Sequence, residues 1–286
     1  WCENITFGVY YQSLELKGLA EAIQSNIVAD PTFAKRNISD CYRLGDMLLN
    51  NAKMPGPDTL VNNTNAQLVQ ELEKFLLAYR NFLPYLVFPH SIERYFMEII
   101  SQALKKQLAS SQNEGEFNRI YEICTTPANL EIEEQVNLLT LSKKMKREGF
   151  TKKNLQLIDT LKDKYAWQPL FSLTAKPLTR KYFEDAIRAY VDGNTHLDAE
   201  IRSLQQGQKD RIRKLNQTLK EMKATRTLRS YVELLQGYMY LRTYRKNIIA
   251  KAHFLHVPLV TEIGNRMRIK EDFILATYEE MIAYLR

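Results

Sequence analysis

The chain has 286 residues, of which 45% are hydrophobic and 26% charged, with 40 basic against 33 acidic side chains and a net charge of +7 at pH 7. Those are the proportions of a globular chain and they exclude a disordered tail. Ten glycines and nine prolines, each about 3% of the chain against an ordinary ~7% and ~5%, leave few breakers and point to helices with short connections.

Residues 7–27 carry Leu14, Leu19, Ala22 and Ile23 at helical spacing. Asp30-Pro31 reads as a helix start, with Asp as N-cap and Pro in the first position. Phe33, Cys41, Leu44, Leu48 and Leu49 follow on one apolar face, and the run from Met54 to Asp58, rich in Pro and Gly, is the strongest break in the chain. Thr64 and Gln67 form a capping box that opens a helix through Leu68, Leu72, Phe75, Leu76, Tyr79 and Phe82. Pro84 and Pro89 kink or end it, and a second helix runs over 90–108.

Residues 110–115 are polar and loop-like. Thr126-Pro127 reads as another helix start, leading through Val136, Leu139, Leu141 and Met145 to Gly149. A short helix covers 151–165, the stretch 167–177 is irregular with room for an extended segment, and Thr179 caps a helix that Gly193 ends. Two long helices, 195–223 and 227–255, are joined at Ala224-Thr225-Arg226, which predicts an antiparallel hairpin. Val257-Pro258 restarts a helix, and Thr277 with Glu280 is the capping box of the last one. The expectation is an all-α, elongated multi-helix array with a long hairpin over 195–255, divided into an N-terminal subdomain (1–150) and a C-terminal one (151–286). No 20–50-residue repeat occurs.

Three cysteines, Cys2, Cys41 and Cys124, without CxxC spacing argue against a disulfide framework and fit a reducing, cytoplasmic setting. Asn-x-Ser/Thr occurs at Asn4, Asn37, Asn62 and Asn216, which chance accounts for in a chain this rich in Asn and Thr. No apolar run reaches the roughly 18–20 residues that span a bilayer. The chain opens at Trp1, without an initiator Met or a signal peptide, which reads equally as a trimmed or excised piece or as a cleaved start.

Residues 201–229 hold nine basic residues (Arg202, Lys209, Arg211, Arg213, Lys214, Lys220, Lys223, Arg226, Arg229) and two acidic ones (Asp210, Glu221), a net +7. Such a stretch attracts phosphates or acidic protein surfaces, or is simply a solvated helix face. No helix-turn-helix, zinc or RNP-type pattern accompanies it, which argues against nucleic acid. His253 and His256 are three apart without a Cys or Glu at helical spacing to complete a metal site, so they read as packing residues. Glu131, Glu133 and Glu134 suit a helix start, where the macrodipole favours acids. Neither a nucleophile elbow nor a glycine-rich phosphate loop is present. Tyr240 and Tyr244 share one helical face and Tyr231 and Tyr238 another; with Tyr165 and Trp167 they are candidates for core packing or for a planar-ligand surface.

Taken together, Asp163-Lys-Tyr-Ala-Trp-Gln-Pro169, Leu241-Arg-Thr-Tyr-Arg-Lys-Asn247, Leu259-Val-Thr-Glu-Ile263 and Thr277-Tyr-Glu-Glu-Met281, with Cys41-Tyr-Arg-Leu-Gly45 and Leu72-Glu-Lys-Phe75 upstream, resemble the helical region of phosphoenolpyruvate-utilising phosphotransferases, the group of phosphoenolpyruvate synthase and rifampicin phosphotransferase. The resemblance implies a non-catalytic scaffold between an ATP-grasp domain and a swivelling phosphohistidine domain, with ATP and Mg held only by those missing domains. The swivelling domain's Gly-Gly-x-x-Ser/Thr-x-His signature is absent, and Gly193-Asn-Thr-His196 has a single Gly, so no phosphohistidine is carried onto His196. Under this resemblance Arg242, Arg245 and Lys246 are the candidates for docking a phosphorylated carrier, and Tyr165, Trp167, Tyr240 and Tyr244 for the acceptor side. The rival expectation is a stand-alone helical module that binds a protein or anionic partner through 201–251.

Overall fold

The structure, a computed structural model, describes residues 13–286 apart from 31, 87, 109–113, 129–131, 172–175, 194–195 and 270–275. Cys2, Asn4, Pro31, Glu131, Thr195 and most of the 110–115 loop therefore lie outside the described residues. Those described form twelve α-helices, two short 3-10 helices and no strand, so the chain is all-α. The helices are α1 Ser13–Ala29, α2 Phe33–Ala52, α3 Pro57–Val61, α4 Asn65–Phe82, α5 Phe88–Gln107, α6 Glu114–Thr125, α7 Glu133–Glu148, α8 Lys152–Tyr165, α9 Arg180–Asp192, α10 Leu197–Glu221, α11 Arg226–Arg266 and α12 Tyr278–Leu285; 3-10 helices occupy Leu83–Leu86 and Gln168–Phe171.

Many ends fall where local chemistry puts them. Thr64 and Thr277 close full capping boxes with Gln67 and Glu280, and Thr151, Thr179 and Thr225 each accept the N3 backbone N–H. Pro57 stands in the first turn of α3, and Gly193 ends α9.

The 41-residue α11 is the axis of the molecule. The chain from α4 through the 3-10 turn to α5 runs antiparallel beside it over almost its whole length. Successive contacts are Asn65 with Arg266, Phe75 with His256, Tyr79 with His253, Leu86 with Arg245, Glu93 with Arg242, Phe96 with Tyr238, and Gln107 with Met222 just before α11 begins. On another side α2 runs parallel to α11, because Ile38 meets Gly237 and, seven residues further along both helices, Gly45 meets Tyr244. The Tyr238 hydroxyl donates to Ala34 O at 3.0 Å. The main core joins α1, α2, α4, α5, α6, α10 and α11. A second cluster under Leu259 and Ile263 gathers Leu60, Leu68, Leu72, Met281 and Leu285.

Helices α7, α8 and α9 form a unit with their own core of Leu141, Met145, Ile158, Leu161, Tyr165, Phe183 and Ile187. The 3-10 turn docks this unit on α11 through Trp167, Leu170 and Ala250. The main core joins residues from both sides of the expected division at residue 150, and α7–α9 carry a core of their own. The two long C-terminal helices are present and joined by a tight turn in which Lys223 takes a left-handed conformation (φ 50°). Each finds its main partners elsewhere, α10 on α7 and α6, α11 on α5 and α2.

Four local readings are corrected. Helix α2 begins at Phe33, and Asp30 serves it from outside by accepting the Thr32 N–H and the Arg36 guanidinium. Thr126-Pro127 starts no helix: α6 ends there and α7 begins at Glu133. Helix α6, which includes Gly115, is passed over by the sequence reading altogether. Pro258 does not restart a helix but lies inside α11. It costs the helix about 3 kcal/mol, offset because Leu259, Val260 and Ile263 beyond it are all buried.

The α2–α11 seam makes a testable demand. A Cβ on Gly237 would meet Ile38 Cδ1 at 2.9 Å, and one on Gly45 would meet Tyr244 Oη at 2.7 Å. Gly237→Ala and Gly45→Ala are each expected to lose about 1–3 kcal/mol in urea unfolding. Tyr244→Phe, which removes the colliding oxygen, is expected to recover part of the Gly45→Ala loss; strictly additive effects would contradict the contact.

Candidate functional site

The surplus positive charge is concentrated on α10. Its buried side chains are Leu197 at one end and Leu215, Thr218 and Leu219 at the other, and nothing from 198 to 214 is buried. The helix is a strut held at both ends. At 100° per residue, Arg202, Lys209, Arg213 and Lys220 fall within about 20° of one line, which runs for about 27 Å. All four are exposed. Arg213 pairs with Asp210 at 2.9 Å and Arg202 donates to Asp198 O at 3.1 Å, whereas Lys209 and Lys220 make no ion pair with a described residue. Lys209, Ile212, Arg213, Asn216, Gln217 and Lys220 line an open groove of about 590 Å³, with Ile212 40% exposed.

At its N-terminal end the stripe meets α7. Lys143, Lys146 and Arg147 join His196 and Arg202 around a cleft of about 450 Å³. Lys143 bonds Asp198, and that contact holds the Asp198 carboxyl below the usual carboxylate range. Lys146 donates to Gly193 O at 3.2 Å. The charge of 201–229 is plain in the sequence, and its alignment, absent from the expectations, is carried by the 7-4-7 spacing of the four cations. The α7 contribution arises only from tertiary packing.

Other basic residues of the stretch work inside the fold. Arg229 donates to Leu219 O at 2.7 Å and to Ala224 O at 3.1 Å, closing the C-terminus of α10. Arg211 turns its Nε into a buried position without a partner.

The docking and acceptor candidates are scattered rather than gathered. Arg245 is 2% exposed and donates to Tyr85 O and Leu86 O at the break between α4 and α5. The Tyr85 carbonyl lacks its helical donor because position 89 is proline, so Arg245 is a structural cap and is not offered to a phosphate in solution. Arg242 is half-exposed, 3.5 Å from Glu93, and Lys246 is exposed. Tyr165 is buried in the α7–α9 core, where its hydroxyl accepts from Asn137 at 2.7 Å. Trp167 is buried against α11 and donates to Lys164 O at 2.6 Å. Tyr244 packs edge-on against Tyr42 at 4.6 Å, and Tyr240 is partly buried on the same helix. These rings pack in separate places.

No acid–base or nucleophilic constellation appears among the described residues. Cys41 and Cys124 are buried free thiols, and burial pushes them up to about 12 and about 11, so neither is a thiolate at neutral pH. Among the described residues no group of three His, Cys, Asp or Glu could hold a metal ion. No helix among them is long and apolar enough to cross a membrane. Glu93 is 7% exposed with Oε1 unpartnered, and burial raises its pKa against the opposing pull of Arg242 and Arg245.

Glu93 gives a pH prediction. Its folded pKa lies above its ordinary 4.5, so the native state holds the proton more tightly than the unfolded chain, and stability falls as pH rises through that window. Glu93→Gln is expected to raise stability at neutral pH and to flatten this part of the profile in chemical unfolding across pH 4.5–7. A variant less stable than wild type at pH 7 would show that the Arg242 pair outweighs desolvation. The chain matches no family model, no curated protein and no solved structure.

Proposed function

We propose that this chain is a helical docking module that holds an acidic, helical protein segment along the cation stripe of α10. The carrying observation is the stripe itself: four exposed cations in line on a strut whose middle packs against nothing deeply. A helix laid beside α10 has the same rise per residue, so carboxylates at the same 7-4-7 spacing meet all four cations at once. Ile212 between them offers an apolar contact that a bare polyanion would not use. Each exposed pair is worth about 0.2–1 kcal/mol, so the complex is weak, fast and salt-sensitive.

The phosphotransferase resemblance would make the anionic partner a phosphohistidine domain. That reading rests on the sequence segments alone, and one of its three docking residues, Arg245, is committed to the interior.

The test uses a helical peptide with glutamates at 7-4-7 spacing and a second peptide of the same composition with the glutamates scrambled. The first is expected to bind at low ionic strength, to weaken at roughly 0.5 M salt, and to lose at least about tenfold in affinity against the Lys209→Glu/Lys220→Glu variant. Equal binding of both peptides, or no effect of charge reversal, would overturn the proposal.

A further inference from the structure

His256 sits in α11 at 2% exposure, and neither of its ring nitrogens has a hydrogen-bond partner. The ring stacks on Phe75 of α4 (centroids 3.7 Å, planes 11° apart) and meets the edge of Tyr278 of α12 at 6.2 Å; Phe75 and Tyr278 are themselves 6.4 Å apart. One ring cluster thus ties three helices together. The titratable groups around it are His253 on α11, Tyr79 on α4, which stacks on His253 at 5.6 Å, and Tyr278 on α12. Burial raises both phenols, so none of the three is an anion near neutrality. An imidazolium here would find neither an acceptor nor a counter-charge.

Helix α12 is the element most easily lost from this cluster. It has eight residues and packs on α4 and α11. Besides Tyr278 it is held by buried Met281 and Leu285, by the Tyr284 hydroxyl donating to Arg266 O at 2.6 Å, and by Arg286 with Glu73 at 2.6 Å.

We propose that His256 makes α12 an acid-releasable latch: lifting Tyr278 away admits water to the imidazole, and the proton it then takes holds the latch open. Packed against Phe75 and Tyr278, His256 stays neutral down to about pH 3, whereas hydrated it titrates near its ordinary 6.5. Closure is therefore at full strength above pH 6.5 and is lost progressively as pH falls below it. With the proton bound only in the open form, the opening constant rises about tenfold between pH 7.5 and 5.5. Opening uncovers the apolar floor of Leu68, Leu72, Leu259 and Ile263.

Hydrogen exchange of the α12 amides in the full chain at pH 7.5 and 5.5, corrected for intrinsic exchange, tests this. Wild type is expected to lose about tenfold in protection at α12, His256→Phe to lose none, and His253→Phe to respond as wild type does. Glu280, which caps α12, is held below its ordinary range by Thr277 and does not titrate in this window. His256→Gln, also non-titrating there, serves if the Phe variant does not fold. The same loss in a variant lacking His256, or a loss spread evenly over α2 and α11, would overturn the latch.

Discussion

A carbonyl at the end of a helix, once buried, must find a donor, and α11 supplies donors at four such places among the described residues. Along its length Arg229 closes the end of α10, Gln236 donates to Cys124 O and Thr126 O at the end of α6, Arg245 serves the break between α4 and α5, and Arg266 reaches Leu60 O, Val61 O and Asn63 O at the end of α3. Hydrogen bonds from charged donors are worth about 1.5–3 kcal/mol each, and a buried carbonyl left without one costs a similar amount. The spine therefore does two jobs, presenting an apolar surface to α2, α4 and α5 and terminating the elements packed on it.

That arrangement separates structural charge from available charge. The arginines of α11 that look most like an anion site are largely consumed internally, while α10, a strut with an exposed middle, keeps Arg202, Lys209, Arg213 and Lys220 exposed. The rigid body positions the strut, and the α7–α9 unit adds Lys143, Lys146 and Arg147 at one end. Docking through such a face relies on steering and register more than on buried area. The buried His256, with no partner at either ring nitrogen, and the buried Glu93 of α5, which meets Arg242 through Oε2 but has no partner at Oε1, lie elsewhere along the α11 seam, where each costs stability in one protonation state.

Helix starts were legible in the sequence wherever a threonine and the residue three positions on settle the matter locally, as at Thr64, Thr179 and Thr277. Proline was less informative, because its effect depends on what compensates it. Pro89 stands in the first turn of α5, and the Tyr85 carbonyl four residues before it, which a proline cannot serve, is taken up by Arg245, whereas Pro258 is carried through because buried residues on both sides outweigh the missing bond. Thr126-Pro127 resembled a start but is the end of α6, bridged by Gln236 from more than a hundred residues away. The cation stripe was written in the spacing of Arg202, Lys209, Arg213 and Lys220. Which arginines face inward was not, since a cap and a docking residue have the same local sequence.

The account turns on Arg245 replacing a donor that Pro89 removes, and a double-mutant cycle in denaturant measures this directly. Arg245→Met alone is expected to cost about 3 kcal/mol. In a Pro89→Ala background, where an N–H returns opposite the Tyr85 carbonyl, the loss should shrink by about 1 kcal/mol or more. An Arg245→Met variant as stable as wild type, or a loss unchanged by Pro89→Ala, would contradict it.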